Sequence, residues 1–235
     1  MNRVERAVIL AAGTGTRMHP LTLYTPKPLV PVNGKKMIET ILWGLKANGI
    51  HEIYVVTGFM KEQFQYLKQE FGVQFIENPE YQTSNNISSL YAAKEYLKNV
   101  LIMDGDQIIR NPNVLAPEFL CSGYNAVWTQ ARTDEWLLTV ENERVVGCSR
   151  SGGENGWQLF SISRWNAEDG MKLRRHLEIE FKERGNRQIY WDDIPLFYYP
   201  QEYKLGIWEM QQGDVLEIDS LDELVAADQS YEKKN

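Results

Sequence analysis

The stretch Ala7-Val-Ile-Leu-Ala-Ala-Gly-Thr-Gly-Thr-Arg17 begins as a run of apolar residues and ends in a glycine-rich turn. An apolar run without polar alternation is typical of a strand that is buried on both faces of a parallel sheet. Gly13 and Gly15 have no side chain, so backbone N–H groups there can come close to a bound anion. Arg17 adds a fixed charge and a planar set of donors suited to phosphate. The stretch therefore predicts a phosphate site at the end of a strand.

A second basic residue follows ten positions later. Lys27 lies within Thr25-Pro-Lys-Pro-Leu29, where two prolines stiffen the chain around it. A glycine pair after a strand also occurs in ordinary turns, and this one is neither the Walker pattern nor the dinucleotide fingerprint, because Met18 stands where the third glycine would be. The combination with Arg17 and Lys27 is more specific. It indicates a site for a nucleoside triphosphate.

Length and charge limit the class of protein. The 235 residues are 43% hydrophobic and carry a net charge of −7, so we expect one globular domain, 1–235, that does not bind nucleic acid. Cys121 and Cys148 form no disulfide framework and have no metal-ligand spacing. No apolar run reaches the roughly 18 residues that cross a bilayer. The N-terminal apolar run is too short for a secretion signal, so we expect a cytoplasmic protein without membrane insertion.

The order of predicted elements indicates an α/β protein. Helical periodicity at 36–48 and 61–71 alternates with short apolar runs at 53–56 and 73–76, which predicts a Rossmann-like, doubly wound, mostly parallel mixed sheet. Strand patterns then crowd the region 124–165, which we expect to be a β-rich insertion that extends the sheet or covers the site as a lid. Further helices are predicted at 88–98, 167–184 and 221–229. His176 is expected on the charged, solvated surface of the helix at 167–184.

Carboxylates follow two predicted strands. In Val100-Leu-Ile-Met-Asp-Gly-Asp-Gln107 two aspartates flank a glycine at a carboxyl end, where open α/β sheets bind ligands. Asp-Gly also forms simple turns, yet a turn needs no second aspartate, and crowded like charges require a cation. The pair therefore predicts a Mg²⁺ site. Strand alternation places Glu217 and Asp219 of Val215-Leu-Glu-Ile-Asp-Ser220 on one face, although Asp219 or Ser220 could instead cap the final helix.

The polar segment 77–90 runs into the helix that is predicted at 88–98. Ser84, Asn85 or Asn86 could simply cap that helix, but four polar residues in a row exceed what one cap needs. Aromatic residues beside carboxylates form a third feature: Asp134-Glu-Trp136 and Tyr190-Trp-Asp-Asp193. Any single tryptophan is more often part of the core. Together, however, rings and carboxylates are what a quaternary ammonium needs, since cation–π attraction contributes roughly 0.5–2 kcal/mol per ring.

These motifs together resemble the sugar-1-phosphate nucleotidylyltransferases and, over nearly the whole chain, the bacterial choline-phosphate cytidylyltransferases of the LicC type. The resemblance implies a fold of the nucleotide-diphospho-sugar transferase type. It implies CTP as the nucleotide, phosphocholine as the acceptor, Mg²⁺ as the cofactor, and CDP-choline and pyrophosphate as products. The acceptor is already an anion, so catalysis would consist of positioning and charge neutralisation, with no side-chain nucleophile. Gln107 departs from the family, which often has Asp-Ala-Asp-Asn here.

The resemblance also implies roles for individual residues. Arg17 and Lys27 would be catalytic, and Asp106 and Asp219 would bind the metal. Substrate-binding residues would be Trp136, Tyr190, Trp191, Asp192 and Glu217. The nucleotide would contact Leu10, Ala11, Ala12, Gly13, Thr14, Gly15, Thr16, Arg17, Lys27, Asn86, Ser88 and Asp104.

Alternative acceptors remain open from the sequence. A cytidylyltransferase for phosphoethanolamine or 2-aminoethylphosphonate is the nearest alternative, followed by a sugar-1-phosphate nucleotidylyltransferase that uses UTP or dTTP. A nucleotide-binding regulator without catalysis is a different class, and it would be expected to lack Lys27, Asp106 or Asp219. We expect a monomer or a weak homodimer.

Overall fold

The computed structural model describes residues 1–232. Within them the α-helices are α1 (Met37–Ala47), α2 (Tyr66–Phe71), α3 (Ile87–Ala92), α4 (Ala167–Leu177) and α5 (Leu221–Ala227). The strands are β1 (Asn2–Arg3), β2 (Arg6–Ala11), β3 (Pro31–Val32), β4 (Lys35–Lys36), β5 (Glu52–Thr57), β6 (Gln74–Glu77), β7 (Val100–Asp104), β8 (Gln107–Ile109), β9 (Glu118–Phe119), β10 (Gly123–Thr129), β11 (Leu137–Glu141), β12 (Arg144–Ser149), β13 (Gly156–Trp165), β14 (Gly206–Glu209) and β15 (Val215–Glu217).

The parallel half of the sheet has the order β7-β2-β5-β6, so the strand that precedes the glycine turn lies between two others. Successive residues of β2 face opposite sides of the sheet: Ile9 packs in the same core cluster as Ile38 of α1, and Val8 packs with Leu90 of α3. Burial on both faces explains why the sequence of β2 shows no polar alternation. The predicted doubly wound α/β fold is confirmed.

The strands of region 124–165 extend this sheet. The last of them, β13, pairs antiparallel with β7, β10 and β11, while β12 pairs with β11 at the sheet edge and β14 lies parallel to β10. The mixed sheet is predicted from the sequence, and these pairs supply its antiparallel part. A separate two-stranded sheet joins β15 to β8, and its register sets Glu217 opposite Gln107.

Several predicted helices are shorter than expected. The helix at 61–71 is a 3₁₀ turn, Lys61–Phe64, followed by α2, and the helix at 88–98 is α3 followed by the 3₁₀ turn Lys94–Tyr96. The helix at 167–184 continues beyond α4 as a π-helical segment, Glu178–Glu183. The wider turn brings the fully buried Glu180 to the hydroxyl of Tyr199 and the guanidinium of Arg184, both at 2.6 Å.

The prediction for His176 is wrong, because its side chain is only 2% exposed. Its Nδ1 atom lies 2.6 Å from the hydroxyl of Tyr203, and its ring stacks on Tyr199 with centroids 3.8 Å apart. Burial lowers the pKa of His176, an effect that the nearby Glu202 opposes. The residue is a core histidine and not part of a solvated face.

Among residues 1–232 the structure has no helix that is long and apolar enough to span a bilayer.

Candidate active site

A cavity of about 360 Å³ opens at the carboxyl ends of β2 and β7. Its walls include every residue that is predicted to contact the nucleotide, together with Asp106, Asp219 and Tyr190. The wall also contains residues for which no ligand contact is predicted from the sequence: Pro28, Asn78, Tyr81, Ser84, Asn85 and Ser89. Trp136, Trp191, Asp192 and Glu217 lie outside this wall. The fold thus brings the predicted nucleotide and metal residues to one site, while their contacts with ligands stay predictions.

The glycine turn is packed directly against Lys27. Gly15 adopts φ = +64°, a left-handed conformation that side chains rarely allow, and its carbonyl accepts a 2.7 Å hydrogen bond from the hydroxyl of Thr22. A Cβ atom at Gly15 would lie 3.0 Å from Cβ of Lys27 and 3.2 Å from Cγ2 of Thr22. Only glycine therefore lets the turn and the lysine approach so closely.

The side chain of Lys27 lies between two carboxylates. Its Nζ atom is 2.6 Å from Oδ2 of Asp106 and 2.5 Å from Oδ1 of Asp219. Burial lowers the pKa of Lys27, but the charges of Asp106 and Asp219 outweigh that effect, and the net shift is upward. Lys27 is therefore a fixed cation at neutral pH. The Pro26–Pro28 bracket keeps it there, since the 3₁₀ turn Lys27–Leu29 is buried throughout.

Asp219 is available to the site because another residue caps α5. The hydroxyl of Ser220 accepts from the backbone N–H of Glu223, and the Glu223 side chain accepts in return from the N–H groups of Ser220 and Asp219. The capping box leaves the Asp219 carboxylate free to contact Lys27 and, at 2.9 Å, the guanidinium of Arg17. The strand β15 ends at Glu217. Glu217 and Asp219 therefore do not lie on one face of the same strand, contrary to the expectation from the sequence.

The donor set fits Mg²⁺. Pairing of β15 with β8 brings the segment that ends in Asp219 alongside the residue after Asp106. Oδ1 of Asp106 is buried and makes no hydrogen bond within the described residues. Mg²⁺ is usually held by one or two carboxylates together with phosphate oxygens and waters. That matches a two-carboxylate site, and residues 1–232 contain no cluster of three or more metal-binding side chains.

The start of α3 is fastened to the segment before Trp191. Asn86 occupies the N-cap position but makes no side-chain cap there; its Oδ1 accepts from the backbone N–H of Trp191 at 3.0 Å. The N–H of Asn85 donates to the carbonyl of Arg187 at 2.8 Å. Ser88 is buried, and its hydroxyl accepts from Asn78. The polar residues therefore connect two loops instead of merely capping a helix.

Three carboxyl groups at or near the cavity form no salt bridge within residues 1–232: Asp104, which is half-buried and lines the wall, the half-buried Glu217, and the buried Asp192. Burial, followed by the charge of Asp106, raises the pKa of Asp104 to about 7. Burial likewise raises the pKa of Asp192 and that of Glu217 well above the usual range, with Asp104 adding to the first and Asp106 to the second. Within residues 1–232 none of Asp104, Asp192 and Glu217 forms a salt bridge, and Oδ1 of Asp192 has no hydrogen-bond partner.

Tyr190, at the cavity wall, belongs to a group of aromatic rings in contact with one another. The rings of Trp136 and Tyr190 meet edge to face with centroids 5.6 Å apart, and those of Trp136 and Phe197 do so at the same distance. Trp191 differs from its neighbours, because it is 1% exposed and packs in the core against Trp165. Its burial favours a packing role, whereas Tyr190 lines the cavity.

Two residues at this place are not anticipated from the sequence, Arg150 and Phe197. The guanidinium of Arg150 lies 3.9 Å from the ring centroid of Phe197 and 5.7 Å from that of Trp136. It also pairs with Asp193 at 2.5 Å. Both residues come from segments without a motif, so no local signal in the sequence distinguishes them.

Comparison with known proteins identifies the family. Residues 7–149 match the model of the MobA-like NTP transferase domain. The chain is 36% identical to the 2-aminoethylphosphonate cytidylyltransferase of Lancefieldella rimae, covering 96% of this chain and 92% of that protein. It is 32% identical to the choline-phosphate cytidylyltransferase of Streptococcus pneumoniae, covering 98% and 100%. The solved structure of the CTP:phosphocholine cytidylyltransferase from Streptococcus pneumoniae superposes with a TM-score of 0.90 at 33% identity, covering 97% and 99%.

The family model covers the glycine turn and Asp106, and the similarity to the two cytidylyltransferases and to the solved structure covers 96–98% of the chain. The expected resemblance to choline-phosphate cytidylyltransferases is confirmed at the level of the family. The chain belongs to the MobA-like NTP transferases and, within them, is a nucleotidyltransferase of the cytidylyltransferase group.

Proposed function

We propose that this protein transfers the cytidylyl group of CTP to phosphocholine, releasing pyrophosphate and CDP-choline. The observation that carries the proposal is a set of buried or half-buried carboxyl groups, Asp104, Asp192 and Glu217, that form no salt bridge within residues 1–232. Such groups are costly unless a positive charge offsets them. A substrate with a phosphate at one end and an ammonium at the other would supply that charge while presenting its phosphate to the nucleotide.

The chemical step needs no nucleophile from the protein. An oxygen of the acceptor phosphate forms a bond to the α-phosphorus of CTP, and the bond from that phosphorus to pyrophosphate breaks with its electron pair leaving on pyrophosphate. Lys27 and Arg17 lie at the cavity wall and would neutralise charge that develops on the phosphate oxygens. Bound through Asp106 and Asp219, Mg²⁺ would supply further charge neutralisation for the triphosphate.

The acceptor's ammonium would face Asp192 and Glu217. A cation there favours the ionised form of both carboxyl groups and reverses the upward pKa shifts that burial causes. Trp136 and Tyr190 add ring surface for the methyl groups of a quaternary ammonium. The cavity wall beyond Asn86 and Ser88 would hold the base and ribose.

A second acceptor, 2-aminoethylphosphonate, is favoured by a specific observation. The relative with 36% identity over 96% of this chain carries that activity in its name. A primary ammonium has N–H groups that can donate hydrogen bonds, and Oδ1 of Asp192 is an acceptor without a partner among the described residues. Phosphoethanolamine has the same ammonium group.

The test is a matrix of nucleotides and acceptors, read by release of pyrophosphate in the presence of Mg²⁺. We expect CTP to be used in preference to UTP, ATP and dTTP, and phosphocholine to give the highest kcat/KM among phosphocholine, phosphoethanolamine, 2-aminoethylphosphonate and glucose-1-phosphate. Asp192→Asn should raise the KM for the acceptor and leave the KM for CTP unchanged. A higher kcat/KM with 2-aminoethylphosphonate or phosphoethanolamine would replace phosphocholine by the second acceptor, whereas highest kcat/KM with glucose-1-phosphate, or no pyrophosphate with any pair, would refute both.

A further inference from the structure

Three aromatic rings beside the cavity form a cluster, Trp136, Tyr190 and Phe197, that already contains a cation of the protein itself. The guanidinium of Arg150 lies 3.9 Å from the Phe197 centroid and 5.7 Å from the Trp136 centroid. Positive charge at such distances from ring faces is the arrangement that also binds quaternary ammonium ligands. The guanidinium of Arg150 therefore already contacts this ring cluster when no acceptor is bound.

Arg150 is held in this position by the buried carboxylate of Asp193. Oδ1 of Asp193 pairs with Arg150 at 2.5 Å, and Oδ2 of Asp193 accepts from the backbone N–H of Tyr190 at 2.9 Å. The side chain of Asp193 is 5% exposed, whereas that of Arg150 is 49% exposed. The carboxylate is thus fixed in the protein, while the arginine reaches it from the solvent side and has room to leave.

We propose that Arg150 determines the selectivity between quaternary and primary ammonium acceptors, by competing with the quaternary group for the ring cluster. The inference rests on the proposed cytidylyl transfer to a cationic acceptor. A trimethylammonium group has no N–H and gains its binding from ring faces and unlike charge. It must therefore displace the guanidinium, which occupies the face of Phe197 and approaches that of Trp136.

A primary ammonium does not face this competition. Its N–H groups can donate to Oδ1 of Asp192, which has no hydrogen-bond partner within residues 1–232. Arg150 pairs with Asp193 and not with Asp192, so this acceptor oxygen is not taken by the guanidinium. Such an acceptor can bind while the guanidinium stays on the rings. The two classes of acceptor consequently respond differently to the removal of Arg150.

Displacement of the guanidinium by a quaternary ammonium is an exchange of one cation for another. If Arg150 moved out alone, the carboxylate of Asp193 would remain buried without a positive charge, which is unfavourable. A quaternary ammonium that enters the ring cluster replaces that charge. Arg150 therefore weakens the binding of quaternary acceptors without making it impossible.

The experiment compares Arg150→Gln with Arg144→Gln, a matched control whose guanidinium lies on β12 and donates to the carbonyl of Lys204. In Arg150→Gln we expect the KM for phosphocholine to fall about three- to tenfold, the range that one cation–π contact allows. The KM for the primary ammonium acceptor aminoethylphosphonate should change less than about twofold, and kcat and the KM for CTP should stay unchanged. Arg144→Gln should match the wild type for both acceptors.

A purely structural role for Arg150 predicts a different result. Loss of an anchor for Asp193 would raise the KM for both acceptors together, and that outcome overturns the proposal; a lower melting temperature is expected in either case, because Asp193 loses its cation. Arg150→Lys, which keeps the charge but loses the planar stacking, should be intermediate for phosphocholine, and it provides the comparison if Arg150→Gln does not fold. Calorimetric titration of each variant with phosphocholine and with aminoethylphosphonate gives affinities without turnover. If neither Arg150→Gln nor Arg150→Lys gains affinity for phosphocholine, the proposed role of Arg150 is refuted, whereas absence of pyrophosphate release by the wild type refutes the proposed function.

Discussion

The Nζ atom of Lys27 lies 2.5 Å from Oδ1 of Asp219, although 192 positions separate the two residues in the sequence. The contact joins the proline-braced loop near the N-terminus to the segment between β15 and α5. It forms because β15 pairs with β8 and because Ser220, not Asp219, caps the final helix. The site is therefore assembled from distant parts of the chain around a single lysine.

Replacing Lys27 by methionine should lower both stability and turnover. Asp106 and Asp219 would then face each other without the cation between them, and we expect the free energy of unfolding at pH 7 to fall by about 1–3 kcal/mol. Millimolar Mg²⁺ should restore part of that loss, because the metal would replace the missing charge. We expect kcat to fall about 10²–10³-fold, with a smaller change in the KM for CTP. Urea unfolding with and without Mg²⁺ and steady-state kinetics measure these effects.

The exposed Lys35 provides a control, since Lys35→Met should leave both the free energy of unfolding and kcat unchanged.

Asp106→Asn keeps the shape of the side chain and removes one charge, so it should reduce kcat without loss of the fold. An Asp106→Asn variant with wild-type kcat would contradict a role for this carboxylate in the site.

Two glycines of the same loop should respond differently to alanine. Gly15→Ala introduces a side chain at φ = +64° and brings a Cβ to 3.0 Å from Lys27, so we expect a loss of about 1–2 kcal/mol in unfolding free energy and a lower kcat. Gly13→Ala meets no atom within 4 Å and should keep the stability of the wild type. Thermal unfolding distinguishes the two. Equal melting temperatures for both variants would show that the turn can relax.

Acceptor affinity should increase with pH through the ionisation of Asp192. Burial and then the charge of Asp104 raise the pKa of Asp192, while the hydroxyl of Tyr124 lowers it and Asp193 raises it. Below that raised pKa the carboxyl group is neutral and attracts a cation weakly; above it the carboxylate attracts the acceptor. We expect 1/KM for the acceptor to rise with pH by up to about tenfold per pH unit above the ordinary carboxyl range.

Asp192→Asn should flatten this dependence. The phosphate of the acceptor also titrates, but it does so equally with both enzymes, so the ratio of their KM values isolates the protein group. A ratio that is independent of pH between pH 6 and pH 9 would contradict the prediction.

His176 should make the protein less stable at mildly acidic pH. Burial lowers its pKa, and the charge of Arg175 lowers it further, while the charges of Glu202 and Glu180 oppose this shift. As pH falls below about 6.5, His176 becomes protonated in the unfolded chain but stays neutral in the folded chain. Its contribution to the free energy of unfolding is therefore complete above this pH and is lost progressively below it. The loss is at most about 1.4 kcal/mol per pH unit.

The measurement is chemical unfolding at pH 7.5 and pH 5.5. His176→Gln keeps a polar group near Tyr203 and should lose less stability on acidification than the wild type does. The exposed His51 serves as a control, because His51→Gln should behave as the wild type. Equal acid sensitivity in all three proteins would refute the role of His176.

The half of the site that lies on strand ends is predictable from the sequence. Carboxyl ends of neighbouring parallel strands meet at one edge, so Gly13, Gly15 and Asp106 have to lie together once the strands are recognised. The buried face of α4 is not recognised from the sequence, although Asp169, Leu173 and His176 recur at helical spacing, because the many charges of this segment obscure the pattern.

The acceptor side cannot be derived in the same way. Arg150 and Phe197 reach the ring cluster from segments without periodicity, and their approach depends on the packing of β12 against the segment after Asp193. Trp191 stands between two residues of predicted function but faces the core, because residues in a tight turn point in different directions. Adjacency in sequence is therefore a poor guide to a shared surface there.

The hydrogen bond from the N–H of Trp191 to Oδ1 of Asn86 has a thermodynamic consequence. It ties the loop at the base of the nucleotide cavity to the loop that carries Tyr190 and Asp192. If a ligand that orders the first loop also orders the second through this bond, the entropy lost on binding one ligand is not lost again for the other. We therefore expect positive cooperativity between the two substrates, and because free-energy coupling is reciprocal, each would strengthen the binding of the other by the same factor.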